Sequence, residues 1–309
     1  MRPWAWAGCG AMLALLPWLH SRFALIAAVL GALTVLRLVR APGGWRTVAA
    51  FLAVPLLAAP AWFGFFHVIY GSPDPRAQYG DFLASISSMA YVPGGIGGLL
   101  FDSQFGVLPY APVLAAAAAG TVVLLTRPGA SGAGLIPSRL LGLTLLLLVI
   151  PYVVSTTTMR MGGGGWSAPG RFVAPLIPPL GIAVAVAWAA ARRPATRALL
   201  AGALGLTLAV TAAVVWVDRG RLAYNLRQAE TLWLEWAGPL VALTRGLPTF
   251  LRTPEPQAWL HATVWVALLT AAWLAVRAAD RRVLRGRLPV AAGTGAYYNR
   301  GYVTDHPNC

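Results

Sequence analysis

The sequence predicts an all-α integral membrane protein, a helical bundle with about eight transmembrane helices. Hydrophobic residues make up 58% of the 309 residues and charged residues only 11%, a composition typical of a chain that lies largely in lipid. Apolar runs of about 20 residues, the length that crosses a bilayer, recur along the chain. They leave little room for a separate soluble domain.

The apolar runs are assigned in chain order. They lie near 3–19, 23–39, 47–69, 107–125, 140–156, 172–191, 198–217 and 258–276. We interpret the first as a retained span, because no small-residue cleavage pattern follows it. Residues 1–287 then form one transmembrane domain. The remaining segment, 288–309, is polar and lacks periodicity, which predicts a disordered cytoplasmic tail.

Loop charges predict the orientation. Arginines follow the second, fourth, sixth and last runs, so these connections and both termini are expected in the cytoplasm. Seven of the nine acidic residues fall instead in two of the intervening loops. The expected outer loops are 71–106, 157–171 and 218–257. Because the cytoplasmic loops between spans are short, we expect the working face on the periplasmic or extracellular side of a bacterial inner membrane.

The last outer loop carries a helical pattern of its own. Apolar residues recur at spacings of three and four over 221–240, which predicts an amphipathic helix on the outer membrane surface. It either covers the bundle or grips lipid. All 24 basic residues are arginines scattered along loops, and this dispersed charge argues against nucleic acid as a partner. The cysteines and histidines form no metal-binding pattern.

Asp102 lies at the top of an otherwise apolar stretch, 96–125. An acid is costly where a chain enters lipid, so Asp102 is a functional-site hypothesis by default. With Gln104 it is expected at the outer mouth of the fourth span, after a loop whose prolines and glycines disfavour a regular helix. Two interpretations stay open. Asp102 contacts substrate as a base, arginine partner or hydroxyl acceptor, or it caps the start of a helix.

A second candidate group surrounds four consecutive glycines. Arg160 and Arg171 suit a phosphate or diphosphate head group, since guanidinium binds phosphate at two points, or else they snorkel at span ends. Trp166 either stacks on a sugar ring or belongs to an interfacial belt. His20, in the tight turn beside Arg22, is a candidate phosphate contact or proton shuttle, with a structural role as the alternative.

Four stretches carry a family resemblance. They are LPWLHSRFAL at 16–25, YGSPDPRAQYG at 70–80, GGLLFDSQFGVLPYAPVL at 97–114 and GGWSAPGRFVAPLIPPL at 164–180. Together they resemble the C-terminal half of bacterial GT-C type polytopic glycosyltransferases, the protein-mannosyltransferase and aminoarabinose-transferase-like class. The resemblance covers roughly residues 10–190. It implies a helical membrane bundle, a polyprenyl-phosphate-linked sugar as donor, and transfer on the outer face.

The resemblance also implies an acid that this chain does not match. The family places its key acidic residue in the first outer loop, whereas that turn here holds His20, Ser21 and Arg22, and no acid precedes Asp74. Asp102 therefore remains a weak catalytic candidate, better interpreted as a substrate contact or cap. The chain is then expected to be a truncated reading frame, the second half of a split enzyme, or a descendant that binds without catalysis.

Two functions follow as hypotheses. The first is transfer of a hexose or pentose from a polyprenyl-phosphate carrier to an outer-face acceptor. The second is a noncatalytic membrane protein that binds or moves a lipid-linked sugar, or scaffolds a separate catalytic subunit. Membrane lipid and lipid-linked sugar are the expected partners under both, and no cofactor or metal ion is identified.

Overall fold

The computed structural model describes residues 3–41, 44–127, 137–159, 168–223, 246–250 and 255–286. Over these residues the protein is helical, and they contain no β-strand. The helices are α1 Pro3–Leu19, α2 Phe23–Val39, α3 Gly44–Tyr70, α4 Gly80–Ile86, α5 Val92–Phe101, α6 Ala116–Thr126, α7 Ser138–Thr157, α8 Ile177–Ala190, α9 Pro194–Trp216 and α10 Glu255–Gly286. Short 3₁₀ helices lie at Ala77–Tyr79, Met89–Tyr91, Pro112–Ala115, Arg171–Leu176 and Val217–Ala223.

Four helical stretches are long and apolar enough to cross a membrane. They are Gly44–Tyr70, Ser138–Thr157, Arg171–Ala190 and Pro194–Ala223. Large apolar side chains cover their outer surfaces; Val68 and Leu57 are 80% and 76% exposed. Such surfaces are rare on proteins surrounded by water and ordinary on proteins surrounded by lipid. The all-helical class is therefore confirmed over the described residues, and four helical stretches, rather than the predicted eight or so, are long and apolar enough to be candidate membrane spans. The predicted amphipathic helix at 221–240 lies outside the described residues except for its first three positions, and the predicted tail at 288–309 lies wholly outside them.

Glycines allow the helices to approach closely. A Cβ atom at Gly10 of α1 would overlap the carbonyl of Phe51 in α3, and one at Gly120 of α6 would overlap the carbonyl of Ala183 in α8. In lipid, where apolar burial drives little association, small residues at such crossings let backbones make the van der Waals contacts that hold helices together. These two crossings tie α1 to α3 and α6 to α8.

The glycine-rich segment before Asp102 is helical, contrary to the expectation of a largely irregular loop. Helix α5 runs through Pro93, which fits its first turn, and through four glycines. The glycines serve packing. A Cβ at Gly95 would lie 2.7 Å from the Thr157 carbonyl oxygen, and one at Gly97 would lie 2.5 Å from the Phe250 ring. Only glycine allows α5 to lie this close to α7 and to the segment before α10.

The predicted span 107–125 is helical only from Pro112. Its first residues instead fold back on α5, where the Val107 and Leu108 amides donate to the carbonyls of Leu99 and Leu100 at 2.9 and 3.0 Å. The turn and α5 then share one apolar cluster with α7 and the 3₁₀ helix that precedes α8. Its buried members are Leu99, Val107, Tyr152, Val173 and Leu176.

Candidate functional site

An open cavity of about 960 Å³ lies where several helix ends meet. Its walls come from the α1–α2 turn, the loop after α3, residues 87–89 and the end of α7. We call this side of the bundle the cavity end. The residues that carry polar or aromatic groups into the wall are His20, Ser21, Arg22, Trp62, Ser72, Asp74, Arg76, Tyr79, Ser87, Ser88, Ser155 and Thr158.

Two backbone contacts fix the far wall. Ser87 and Met159 form an isolated antiparallel bridge, and the Ser88 amide donates to the Thr158 carbonyl at 2.8 Å. They join the segment between α4 and α5 to the residues that follow α7. Gly95 of α5 packs against Thr157, which lies two residues before Met159. Helix α5 therefore also supports this wall, from the side away from the cavity. The position of this wall therefore depends on helix packing outside the cavity.

Arg22 is a half-buried cation in the cavity wall. Its Nη2 donates to the Met159 sulfur at 2.8 Å, and its guanidinium lies 5.4 Å from the centroid of the Phe172 ring. Within the described residues no carboxylate forms an ion pair with Arg22. A thioether is a weak acceptor, so the buried charge is poorly compensated by its protein neighbours. This arrangement is suited to an anionic ligand.

Electrostatics agree with this interpretation of Arg22. Burial is the main cause that lowers the pKa of Arg22; Tyr152 and Tyr79 oppose it with smaller effects, and Arg171 adds the smallest effect, which again lowers the pKa. An arginine nevertheless stays protonated at neutral pH. The cavity wall therefore keeps a full positive charge that an anion would stabilise.

Arg171 lies beside the cavity rather than in its lining. It is exposed, and its guanidinium lies 4.8 Å from the same Phe172 ring that faces Arg22. Two cations therefore share one aromatic ring, each by a cation–π contact. The structure thus brings the predicted Arg171 close to a cation, Arg22, that the sequence interpretation did not select.

His20 lies at the exposed rim of the cavity, as one of the predicted site residues. Its Nδ1 accepts a hydrogen bond from the Arg22 backbone amide at 3.1 Å. Partial burial is the main cause that lowers the pKa of His20, and the Arg22 charge adds to it. Both effects favour the neutral ring at pH 7. Because Nδ1 accepts the Arg22 amide, the proton of the neutral ring is assigned to Nε2, which can donate to a ligand.

The loop after α3 supplies a carboxylate paired with an arginine. The Asp74 carboxylate accepts from Arg76 Nε at 3.0 and 3.1 Å and from Nη2 at 2.8 Å, and it also accepts from the Arg76 backbone amide at 2.8 Å. Side-chain exposure is 41% for Asp74 and 75% for Arg76. The hydrogen bonds from Arg76 are the main cause that lowers the pKa of Asp74.

Asp102 and Gln104 are buried away from the cavity lining. Asp102 is 1% exposed and follows the last residue of α5. One carboxylate oxygen accepts from the Gln104 and Phe105 amides at 2.8 and 3.0 Å, and the other accepts from the Phe250 amide at 2.8 Å. The carboxylate therefore stabilises the turn that follows α5, whereas a cap at the start of a helix was the expected structural role. It also joins the segment before α10 to this turn.

Arg160 and Trp166 lie outside the described residues. Arg22, Asp74, Arg76 and Tyr79 were not selected as site residues from the sequence, although two of the resembling stretches contain them. One local signal was available: an aspartate followed by proline favours a turn that the carboxylate stabilises. That this turn lines the same cavity as Arg22, more than fifty residues earlier, is a tertiary feature.

No group of three or more histidine, cysteine or acidic residues close enough to hold a metal ion occurs in the described part of the chain. In comparisons with protein-family models, with curated proteins and with solved structures, the chain matches none.

Proposed function

We propose that this protein is a polytopic membrane glycosyltransferase that binds a polyprenyl-phosphate-linked sugar in the cavity beside Arg22 and transfers the sugar to an acceptor hydroxyl. The observation that carries the proposal is the half-buried Arg22 guanidinium, whose side-chain contacts are a thioether and an aromatic ring. A carrier phosphate would replace this weak partner with charge-assisted hydrogen bonds.

The surroundings of Arg22 fit the other parts of such a ligand. The cavity of about 960 Å³ lies at the upper end of the range typical of small-molecule sites. Serine and threonine hydroxyls in its wall are suitable partners for sugar hydroxyls. Tyr79, which is 40% exposed, offers an aromatic face. Arg171 adds positive charge next to the cavity, and Arg160 and Trp166 belong to the same proposed site by their sequence position.

The membrane arrangement is part of the proposal. The full arrangement has about eight spans with both termini in the cytoplasm, which puts the cavity on the outer face of a bacterial inner membrane. The number of spans is supported by the positions of the helices, because α1, α2, α3, α7, α8, α9 and α10 each overlap a predicted apolar run. The orientation is supported by the loop charges. A lipid carrier could then reach the cavity from the bilayer while an acceptor approaches from water.

We propose a structural role for Asp102 within this enzyme. Its two oxygens already accept three backbone hydrogen bonds, and a fully buried carboxylate has little access to a substrate. Gln104, 3% exposed, lies in the same turn. The proposed contacts to donor and acceptor therefore centre on Arg22 and the residues of the cavity wall.

Carrier binding tests the proposal. Purified protein in lipid nanodiscs is titrated with undecaprenyl phosphate, and binding is measured by native mass spectrometry. Arg22→Gln is expected to weaken binding by roughly 10- to 100-fold, the loss typical of a hydrogen bond to a charged group. Arg22→Lys keeps the charge but not the planar fork, so it should retain part of the affinity. The matched control is Arg37→Gln, which removes an exposed charge in the last turn of α2, the helix that begins directly after Arg22.

Transfer is then measured with radiolabelled undecaprenyl-phosphate sugars in the same nanodiscs. Equal carrier affinity in the wild type, Arg22→Gln and Arg37→Gln would contradict the proposal. A correctly folded Arg22→Gln variant, judged by an unchanged thermal midpoint, is required for a loss of binding to count.

One observation favours the noncatalytic alternative. Among the described residues, Asp74 supplies the carboxylate of the cavity lining, and this carboxylate accepts hydrogen bonds from the Arg76 guanidinium. A carboxylate held this way is a poor base, so the protein would bind or move the lipid-linked sugar, or present it to a catalytic subunit. Carrier binding without sugar transfer by the purified protein, with transfer restored by a partner, would support this second function.

A further inference from the structure

In the Asp74–Arg76 pair, the Arg76 guanidinium can rotate away while the Asp74 carboxylate stays in place. Asp74 is held by the backbone: its carboxylate accepts from the Arg76 amide at 2.8 Å, its own amide donates to the Ser72 hydroxyl at 3.2 Å, and its carbonyl accepts from the Ala77 amide at 2.9 Å. The Arg76 guanidinium has the carboxylate as its partner and is 75% exposed.

We propose that a carrier phosphate in the cavity takes the Arg76 guanidinium from Asp74, so that donor binding itself frees the carboxylate that receives the acceptor proton. This inference rests on the proposed function of the cavity and names what regulates its chemistry. The exchange needs rotation of one long side chain, because the turn around Asp74 is held by backbone hydrogen bonds that do not involve the guanidinium.

Charge makes the exchange favourable. Exposed ion pairs contribute little free energy, since water competes for both partners. A phosphate held by the half-buried Arg22 offers a second anion in the same cavity and the same two-point geometry that a guanidinium prefers. Phosphate and Asp74 therefore compete for Arg76, and the ligand has the advantage of being held by Arg22 as well.

Release changes the chemistry of Asp74. The Arg76 side chain is the main cause of its low pKa, so loss of that partner makes the carboxylate a better proton acceptor. In the transfer step, the acceptor hydroxyl oxygen bonds to the anomeric carbon as the bond from that carbon to the phosphate oxygen breaks. The bond electrons leave on the carrier phosphate, and the hydroxyl proton passes to Asp74. The exchange thus couples base activation to the presence of donor.

Competition predicts an unusual sign for one variant. Asp74→Asn should bind undecaprenyl phosphate more tightly than the wild type, by about two- to fivefold, because Arg76 no longer has a competing carboxylate. Arg76→Gln should bind it more weakly. The matched control is Asp81→Asn, which removes the same charge from an exposed position on α4 outside the cavity lining, and it should leave affinity unchanged.

The outcomes separate this inference from the proposed function. If the wild type does not bind undecaprenyl phosphate, the proposed function fails. If the wild type binds and Asp74→Asn binds equally or more weakly, the exchange is overturned while the binding function stands. Equal tightening by Asp74→Asn and Asp81→Asn also overturns it, because the effect would then be one of loop charge.

The proton-accepting role has a separate readout. With saturating radiolabelled donor, Asp74→Asn should lose sugar transfer although it binds the carrier more tightly than the wild type. Transfer at the wild-type rate by Asp74→Asn would overturn the role of Asp74 as proton acceptor. Tighter binding combined with lost transfer is a pattern that a purely structural aspartate would not produce.

Discussion

Asp102 and Asp74 are two aspartates that lie outside the helices and have opposite surroundings. Asp102 is 1% exposed and accepts three backbone amides, whereas the Asp74 side chain is 41% exposed and holds an arginine. Backbone donors belong to the fold and cannot leave it without local unfolding. A side-chain partner can be exchanged for a ligand at small cost.

The comparison teaches that a carboxylate's partners, rather than its position along the sequence, indicate its role. An acid at the top of an apolar stretch suggested a substrate contact at Asp102, yet all of the hydrogen bonds described above come from main-chain amides that it joins together. The Phe250 amide is 148 residues away in sequence, so this one carboxylate links the turn after α5 to the segment before α10. Asp74 joins only its own turn, which leaves it available to respond to a ligand.

The strongest test of the contrast is removal of the buried carboxylate. Asp102→Ala leaves three backbone amides without an acceptor inside the protein, and each unsatisfied buried donor costs roughly 1–3 kcal/mol. We expect a loss of at least about 3 kcal/mol in the free energy of unfolding, or failure to accumulate folded protein. Denaturant unfolding in detergent micelles measures the first outcome and yield after membrane extraction measures the second.

Asp102→Asn refines that test. The asparagine side-chain oxygen can still accept from the backbone amides on one side of the group, whereas the NH₂ group would face a backbone N–H donor on the other side. Its destabilisation should therefore be smaller than that of Asp102→Ala but clearly measurable. Wild-type stability for both variants would show that Asp102 does not hold this turn, and a substrate role would regain support.

The sequence predicted most of the helices because long apolar runs are a one-dimensional signal. The prediction was wrong at α5, because four glycines and a proline are typical of a loop. Their packing against Thr157 and Phe250 is known only from the structure. The prediction was also wrong at 107–111 because the hydrogen bonds to Leu99 and Leu100 that bend this segment come from elsewhere in the fold. Close approach and long-range pairing leave no periodic pattern to detect.

The candidate site divides in the same way. His20 was selected for its place in the tight turn beside Arg22, and Arg171 for its spacing from Arg160 across four glycines, and both features are visible in the local sequence. The significance of Arg22 depends on Met159 and Phe172, and the significance of Asp74 depends on the cavity it faces. The sequence shows which residues carry a charge. Whether a charge such as that of Arg22 has an ion-pair partner depends on the residues that surround it in the folded protein.

A second prediction concerns α5, which connects the Asp102 turn to the cavity wall. Gly95→Ala places a Cβ 2.7 Å from both the Cβ and the carbonyl oxygen of Thr157, so α5 must move away from α7. Overpacking of this kind typically costs about 1–3 kcal/mol. We expect a lower thermal midpoint together with weaker binding of undecaprenyl phosphate, because Thr158 and Met159 in the cavity wall follow directly.

The matched control is Gly64→Ala in α3, where a Cβ would meet no atom within 4 Å. Alanine is the better helix former, so this change should leave the midpoint equal or slightly higher. Carrier binding unaffected by Gly95→Ala, despite a lower midpoint, would show that the cavity wall does not depend on α5 and that the two aspartate regions are independent.

The smallest expected effect is on stability at Asp74. Because the pair with Arg76 is exposed, Asp74→Asn should leave the thermal midpoint at pH 7 unchanged within error, in contrast to Asp102→Asn. The folded-state pKa of Asp74 is lowered, so any stabilisation from the pair is present above the ordinary aspartate pKa of about 4 and disappears as the pH falls through the lower folded value. Midpoints of wild type and variant, measured from pH 7 down to pH 3, should therefore nearly coincide throughout. A large gap at pH 7 that closes in acid would place Asp74 with Asp102 among the carboxylates that hold the fold, and would leave the ligand-driven exchange without its freely exchangeable partner.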